Sequence, residues 1–108
     1  MVFFDFNQSR LTNSTQEILN TIISDINHLN TASFEITGHT DRSGKAAYNK
    51  RLSKKRAEAV KKALVGLGAK SHNIDVTWHG ESTPLIPTSD GMREPQNRRA
   101  EIRINSAQ

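Results

Sequence analysis

The sequence predicts an α/β (α+β) two-layer sandwich with elements in the order β-α-β-α-β-β. Three observations carry this. Two stretches with apolar residues at helical spacing each follow a short strand-like run, all three prolines fall in one late segment, and the chain closes on strict alternation. Val2-Phe3-Phe4-Asp5-Phe6-Asn7 is short and aromatic and reads as the first strand. Ser14-Thr15-Gln16-Glu17 has the form of a capping box, and Ile18, Leu19, Ile22, Ile23, Ile26 and Leu29 continue as one helical face. Ser33 to Thr37 is a second strand, in which Phe34 and Ile36 alternate with Glu35 and Thr37. The second helix runs from about Lys45 to Leu67 and ends at Gly66 and Gly68, because glycine accepts the backbone turn that stops a helix. Ile74 to His79 is a third strand and Arg99 to Ile104 a fourth. The connection from Gly80 to Asn97 is longer than most ordered loops, so it is either a functional loop or the cover of a sheet edge.

At 108 residues the chain is expected to be a single domain, 1–108, with a modest core. It has no cysteine, so it can form no disulfide and has no thiol chemistry. No apolar run approaches the roughly 20 residues of a membrane-spanning helix. Strand-like sequence directly after Met1 suggests a domain excised from a larger protein. The net charge of +4 is unevenly placed: residues 41–70 hold ten Lys or Arg against two acids, whereas residues 1–40 hold one against four. Most of that basic block falls on the outer face of the second helix. A solvated face explains it more simply than a nucleic-acid partner, and aromatic stacking residues are missing from it apart from Tyr48.

Within the second helix, Leu52, Ala59, Val60, Ala63 and Leu67 form the inward stripe, and Arg56 falls in its middle with Asn49 two turns earlier. A guanidinium on an apolar face needs partners, since an unpaired buried charge costs several kcal/mol. Asp41, at the mouth of the second strand in Gly38-His39-Thr40-Asp41, is the natural counter-charge. The two together offer a site for a zwitterion, the carboxylate taking an ammonium and the planar guanidinium taking a carboxylate. A purely structural ion pair accounts for them equally well. In the last strand Arg98 lies in phase with Ala100, Ile102 and Ile104, aimed to the core side, while Arg99 and Arg103 project the other way.

The series Phe4-Asp5-Phe6-Asn7, Gly38-His39-Thr40-Asp41 with Gly44, Tyr48-Asn49, Leu52-Ser53 with Arg56-Ala57 and Val60, Gly80-Glu81 with Pro84, and Asn97-Arg98-Arg99 with Glu101-Ile102 resembles the OmpA-like peptidoglycan-binding domain. That family includes the C-terminal regions of OmpA, peptidoglycan-associated lipoproteins and flagellar stator subunits. The resemblance implies a mixed four-stranded sheet whose last strand runs antiparallel between the first two. It also implies non-catalytic binding of the peptidoglycan stem peptide through meso-diaminopimelate. Asp41 matches the position that meets the ammonium and Arg56 the position that meets the carboxylate, with Asn7, Asn49, Arg98 and Thr40 at further pocket positions. A periplasmic location and a membrane-anchored parent protein at the outer membrane or cell envelope follow from the same resemblance, with no nucleic-acid partner expected. The alternative readings are anionic-surface or nucleic-acid binding through the basic second helix, or a structural interaction domain with a degenerate pocket.

Other chemistry finds little support. His28, His39, His72 and His79 lack metal-ligand spacing, so neither a metal nor a cofactor is expected. Ser43 and Ser53 have no evident general base; helix capping accounts for Ser43 and a local backbone bond for Ser53. His39 is expected to be hydrogen-bonded near its strand end, and Tyr48 to belong to the core. No paired carboxylates or activated nucleophile mark a hydrolase, so no catalytic residue is assigned.

Overall fold

The computed structural model describes residues 2–4, 8–26, 32–82, 86, 88 and 91–105. Its strands are β1 (Val2–Phe3), β2 (Ser33–Gly38), β3 (Ile74–Trp78) and β4 (Arg99–Asn105), and its helices are α1 (Asn13–Ser24) and α2 (Ala46–Gly66). The sheet order is β1-β4-β2-β3. β4 is antiparallel to both β1 and β2, and β2 is parallel to β3, so the expected mixed topology is present.

Register assigns the faces. Phe34 stands opposite Ile74 and Ile104, and Ile36 opposite Val76 and Ile102, so these side chains share the helix-covered face. Glu35, Thr37, Asp75, Thr77, Glu101 and Arg103 lie on the other, open face. The core between sheet and helices contains Val2, Phe4, Leu19, Phe34, Ile36, Val60, Leu64 and Ile74, with Leu11, Ile22 and Ile23 closing it from the side of α1. The described part of the first strand is Val2–Phe3, and beyond it Phe4 N donates to Arg98 O at 2.8 Å. Positions 5–7 lie outside the described residues.

Helix α1 starts earlier than the capping-box pattern indicated. Thr12, not Ser14, is the cap, and its Oγ1 accepts from Thr15 N at 3.2 Å. Thr15 is buried, and its hydroxyl accepts from Thr12 Oγ1 at 3.1 Å, which favours this register over the alternative. Helix α2 also buries a slightly different stripe from the expected one. Leu52, Arg56 and Val60 are inward as expected, but Ser53, Ala57 and Leu64 complete the buried face while Ala59, Ala63 and Leu67 are only half-buried.

Gly38 explains the rotation. A Cβ at this position would sit 1.9 Å from the carbonyl oxygen of Ser53 and 3.3 Å from the methyl of Ala57. The end of β2 therefore touches the backbone of α2 directly, and only small residues fit the helix face that meets it. Gly38→Ala is expected to destabilise the fold by about 3 kcal/mol or more, because the obstacle is backbone rather than a movable side chain. Gly66, with open space around it, is the control: Gly66→Ala should be neutral or stabilising by up to about 1 kcal/mol. Urea midpoints of the two variants check both values.

Candidate functional site

The carboxyl end of β2, the start of β4 and the first turns of α2 meet at one end of the sheet. Arg56 is the largest side chain that is wholly buried there. Its Nε donates to Gln8 O at 2.8 Å and its Nη1 to His39 O at 2.9 Å, while the guanidinium lies 5.1 Å from the centre of the Phe4 ring. One side chain thus joins the chain after β1, the end of β2 and helix α2. Burial lowers the Arg56 pKa to about 10, against which the Asp41 charge acts in the opposite direction; the group remains charged at neutral pH.

Asp41 is 3% exposed, and each of its oxygens has two donors. Oδ1 accepts from Ser43 Oγ at 2.6 Å and Ser43 N at 3.2 Å, and Oδ2 accepts from Arg98 Nη1 at 3.1 Å and Glu94 N at 3.2 Å. Burial, the largest single influence, pushes its pKa up, yet the hydrogen bonds from Ser43, Glu94 and Arg98 outweigh it and hold the carboxyl below its ordinary range. Arg98 also donates from Nε to Phe4 O at 3.0 Å, and its side chain keeps 13% of its surface open. Asn49, fully inward on α2, donates to Ser43 O at 2.7 Å and more weakly to Asp41 O at 3.4 Å. Thr40 is buried and closes the turn by donating to Asp41 O at 2.9 Å.

Five of the six expected site residues, Asp41, Arg56, Asn49, Arg98 and Thr40, are therefore brought together, and Asn7 lies outside the described residues. The ion pair at 3.1 Å links Asp41 to Arg98, whereas the anticipated face-to-face partner was Arg56. The sequence pattern suggests helix capping for Ser43; instead the cap of α2 is Lys45 with no side-chain bond, and the Ser43 hydroxyl holds Asp41. A serine two residues after an aspartate is a frequent local hydrogen-bonding pattern, and that spacing was the available signal. Tyr48, expected in the core, is exposed on the first turn of α2.

The described parts of the connection between β3 and β4 are pinned around this site. Gly80 adopts φ +57 and packs against the backbone of Lys50, so a side chain there would be both strained and crowded. Its N–H donates to Ser53 Oγ at 2.9 Å, and Ser53 in turn donates to Lys50 O at 2.7 Å. Gly91 N donates to Arg42 O, and Arg42 pairs with Glu81 at 3.3 Å. Asn97 is fully buried and exchanges two 2.7 Å hydrogen bonds with the backbone of Ile86. These contacts deliver Glu94 N to Asp41 and set the starting point of β4.

On the open face behind the site, the His39 ring is buried and its Nε2 lies 2.8 Å from Glu101 Oε2. Arg99, expected to be an ordinary outward residue, is also buried, with Nη2 at 3.6 Å from the same carboxylate. The His79 ring sits 5.7 Å from His39. Burial, then the Arg99 charge, lowers the His39 pKa to about 4 in spite of Glu101. Among the described residues no group of three or more His, Cys, Asp or Glu side chains could hold a metal ion.

The folded state thus resists protonation of His39, and the unfolded chain takes up its proton first, near pH 6.5. Stability from this source is complete above about pH 6.5 and is lost as the pH falls toward 4. His39→Gln should flatten the stability profile in that window. The contribution of Asp41, whose folded pKa is also depressed, is lost only at lower pH. Urea unfolding between pH 4 and 7, with an NMR titration of the His39 ring, checks the assignment.

Comparison with known proteins agrees with this architecture. The family model described as OmpA family matches residues 3–98. An outer membrane protein of Gluconacetobacter diazotrophicus is 40% identical over 94% of this chain, which spans 29% of that relative. Outer membrane protein A of Bordetella avium is 31% identical over 94% of the chain, which spans 53% of it. The chain therefore corresponds to a part of these longer proteins. The crystal structure of the peptidoglycan-associated lipoprotein from Burkholderia pseudomallei superposes with a TM-score of 0.86 at 31% identity, covering 96% of this chain and 88% of that one. The C-terminal domain of Helicobacter pylori MotB shares the fold at 18% identity, with a TM-score of 0.79. With the matched residues running from β1 through Arg98, the chain belongs to the OmpA family.

Proposed function

We propose that this chain binds peptidoglycan non-covalently and that Asp41 and Arg56, with Arg98, Asn49, Thr40 and Asn7, recognise the zwitterionic end of meso-diaminopimelate in the stem peptide. The observation that carries the reading is the buried Asp41 carboxylate, paired with a partly open arginine and backed by a second, wholly buried one. Domains of this family bind peptidoglycan without catalysis, and the Burkholderia relative is named for that association. The opposite charges suit a ligand that carries an ammonium and a carboxylate on one carbon.

Because all four hydrogen-bonding positions of Asp41 are filled, an incoming ammonium must displace one donor. Arg98 is the one to move, since Ser43 and Glu94 reach Asp41 through their tightly placed turns while Arg98 has solvent beside it. The ammonium then replaces the guanidinium on Oδ2, and the released Arg98 turns to the ligand carboxylate. Arg56, which the family motif matches to the ligand carboxylate, is wholly buried with Nε and Nη1 on backbone carbonyls. It therefore acts on that carboxylate through its positive charge while it fixes the His39 carbonyl and the turn that carries Asp41. Asn49 and Thr40 keep the Asp41 main chain from relaxing. Asn7 joins the set through its matching position in the family motif. A parent protein held in this way would be tethered to the wall from the periplasmic side, at the outer membrane or envelope, and would gain retention from the many identical stems.

Co-sedimentation with purified sacculi tests the reading. A charged hydrogen bond contributes roughly 1.5–3 kcal/mol, which corresponds to about a 10- to 150-fold change in affinity. Asp41→Asn and Arg98→Gln should each lose at least tenfold in apparent binding while keeping a cooperative melt. Binding that survives Asp41→Asn but disappears in moderate salt would point to the basic face of α2 instead.

A further inference from the structure

Strand β3 is the outer strand of the sheet, and among the described residues no strand lies beyond it. Helix α2 overhangs this edge. Lys54, Glu58, Lys61, Lys62 and Val65 form one stripe of the helix and, with Val76 and Trp78 of β3, line a groove of about 490 Å³. Val65 is exposed, Trp78 is half-buried, and Lys54 Nζ rests 5.1 Å from the centre of the Trp78 ring. The groove thus has an apolar floor and a rim of three lysines against one glutamate, and it borders the edge of β3, beyond which no strand lies among the described residues.

A fifth strand placed at the usual spacing of about 4.8 Å from β3 would run along this groove. Every second side chain would point beneath the helix stripe, against Val65, Val76 and the Trp78 ring. We infer that the edge of β3 is a docking surface for an extended acidic segment of a partner protein, added as a fifth strand. Backbone hydrogen bonding to β3 would supply affinity, the apolar floor would take alternate side chains, and the lysines would take the intervening carboxylates. Charge complementarity selects the acidic class. A basic segment would meet Lys54, Lys61 and Lys62, whereas the stripe offers it only Glu58 in return. A lipid surface or a nucleic acid would use the lysines but leave the strand edge and the apolar floor without a role. Lysines at a sheet edge also deter unwanted pairing between copies, which is compatible with admitting an acidic strand while rejecting a neutral or basic one. The surface is built from residues other than those of the Asp41 site, so the inference stands apart from the peptidoglycan reading.

Trp78 is the only tryptophan in the chain, so its fluorescence reports on the groove directly. The probes are three blocked heptapeptides: one alternating Glu and Val, one alternating Lys and Val, and the Glu-Val peptide with N-methyl groups on the residues that would bond to β3. The Glu-Val peptide should change Trp78 emission saturably, the Lys-Val peptide should leave it unchanged, and N-methylation should weaken binding at least tenfold. With labelled peptides followed by anisotropy, Lys54→Glu combined with Lys61→Glu should reverse the preference for charge. Both side chains lie on the outer part of α2, so this variant should still sediment with sacculi as the wild type does. An N-methylated peptide that binds as well as its parent would overturn strand addition. Silence with every peptide would overturn the docking surface, as would a response confined to vesicles containing anionic phospholipid or to muropeptides.

Discussion

The site depends on one buried cation. Arg56 occupies a position in α2 where periodicity alone would place a leucine or valine, and its guanidinium replaces water with the carbonyl oxygens of Gln8 and His39. These acceptors belong to different parts of the chain, so the side chain fixes the end of β2 against both the helix and the segment after β1. A buried charge is tolerated only when such partners exist, and removing them leaves a penalty of several kcal/mol. The turn that carries Asp41 therefore has its position set before any ligand arrives.

Around that anchor the two faces of the sheet end differ in task. On the helix side, Asp41, Ser43, Asn49 and Arg98 form a closed polar network in which the carboxylate is kept ionised by its donors. On the open side, His39, Arg99 and Glu101 brace the same strand ends through side chains that point away from the pocket. His39 belongs to both: its ring is held by Glu101, its N–H donates to Arg99 O, and its carbonyl receives Arg56. The long connection before β4 adds Glu94 to Asp41 and uses Asn97 to hold itself together. Its pinned glycine and asparagine contacts give it an organising role at the site as well as a covering one.

Much of this was legible in the sequence. Strand alternation and helix periodicity give the element order, and an arginine within an apolar stripe marks a buried cation that needs partners. Arg98 could be aimed by its phase with Ala100 and Ile102. Other features depend on contacts that local pattern does not encode. The inward stripe of α2 turns toward Ala57 and Leu64 because Gly38, far away in sequence, lets the backbones touch. Arg99 follows the outward phase of β4 but is buried, since the strand end is crowded by His39 and Glu101. Tyr48 is outward because the inward side of that first turn is given to Asn49. The Thr12 cap supplanted the Ser14 pattern because Thr15 offers a second bond within the same turn.

The most direct test of the zwitterion clamp is an NMR titration of the domain with a stem peptide containing meso-diaminopimelate. It should be set beside the same peptide with lysine at that position, which keeps the amine and lacks the side-chain carboxylate. Saturable shifts at Asp41, Asn49 and the Arg56 and Arg98 guanidinium groups for the first peptide, with at least tenfold weaker response to the second, are the expected result. Equal responses to the two peptides, or shifts confined to the lysines of α2, would contradict recognition through paired opposite charges at Asp41.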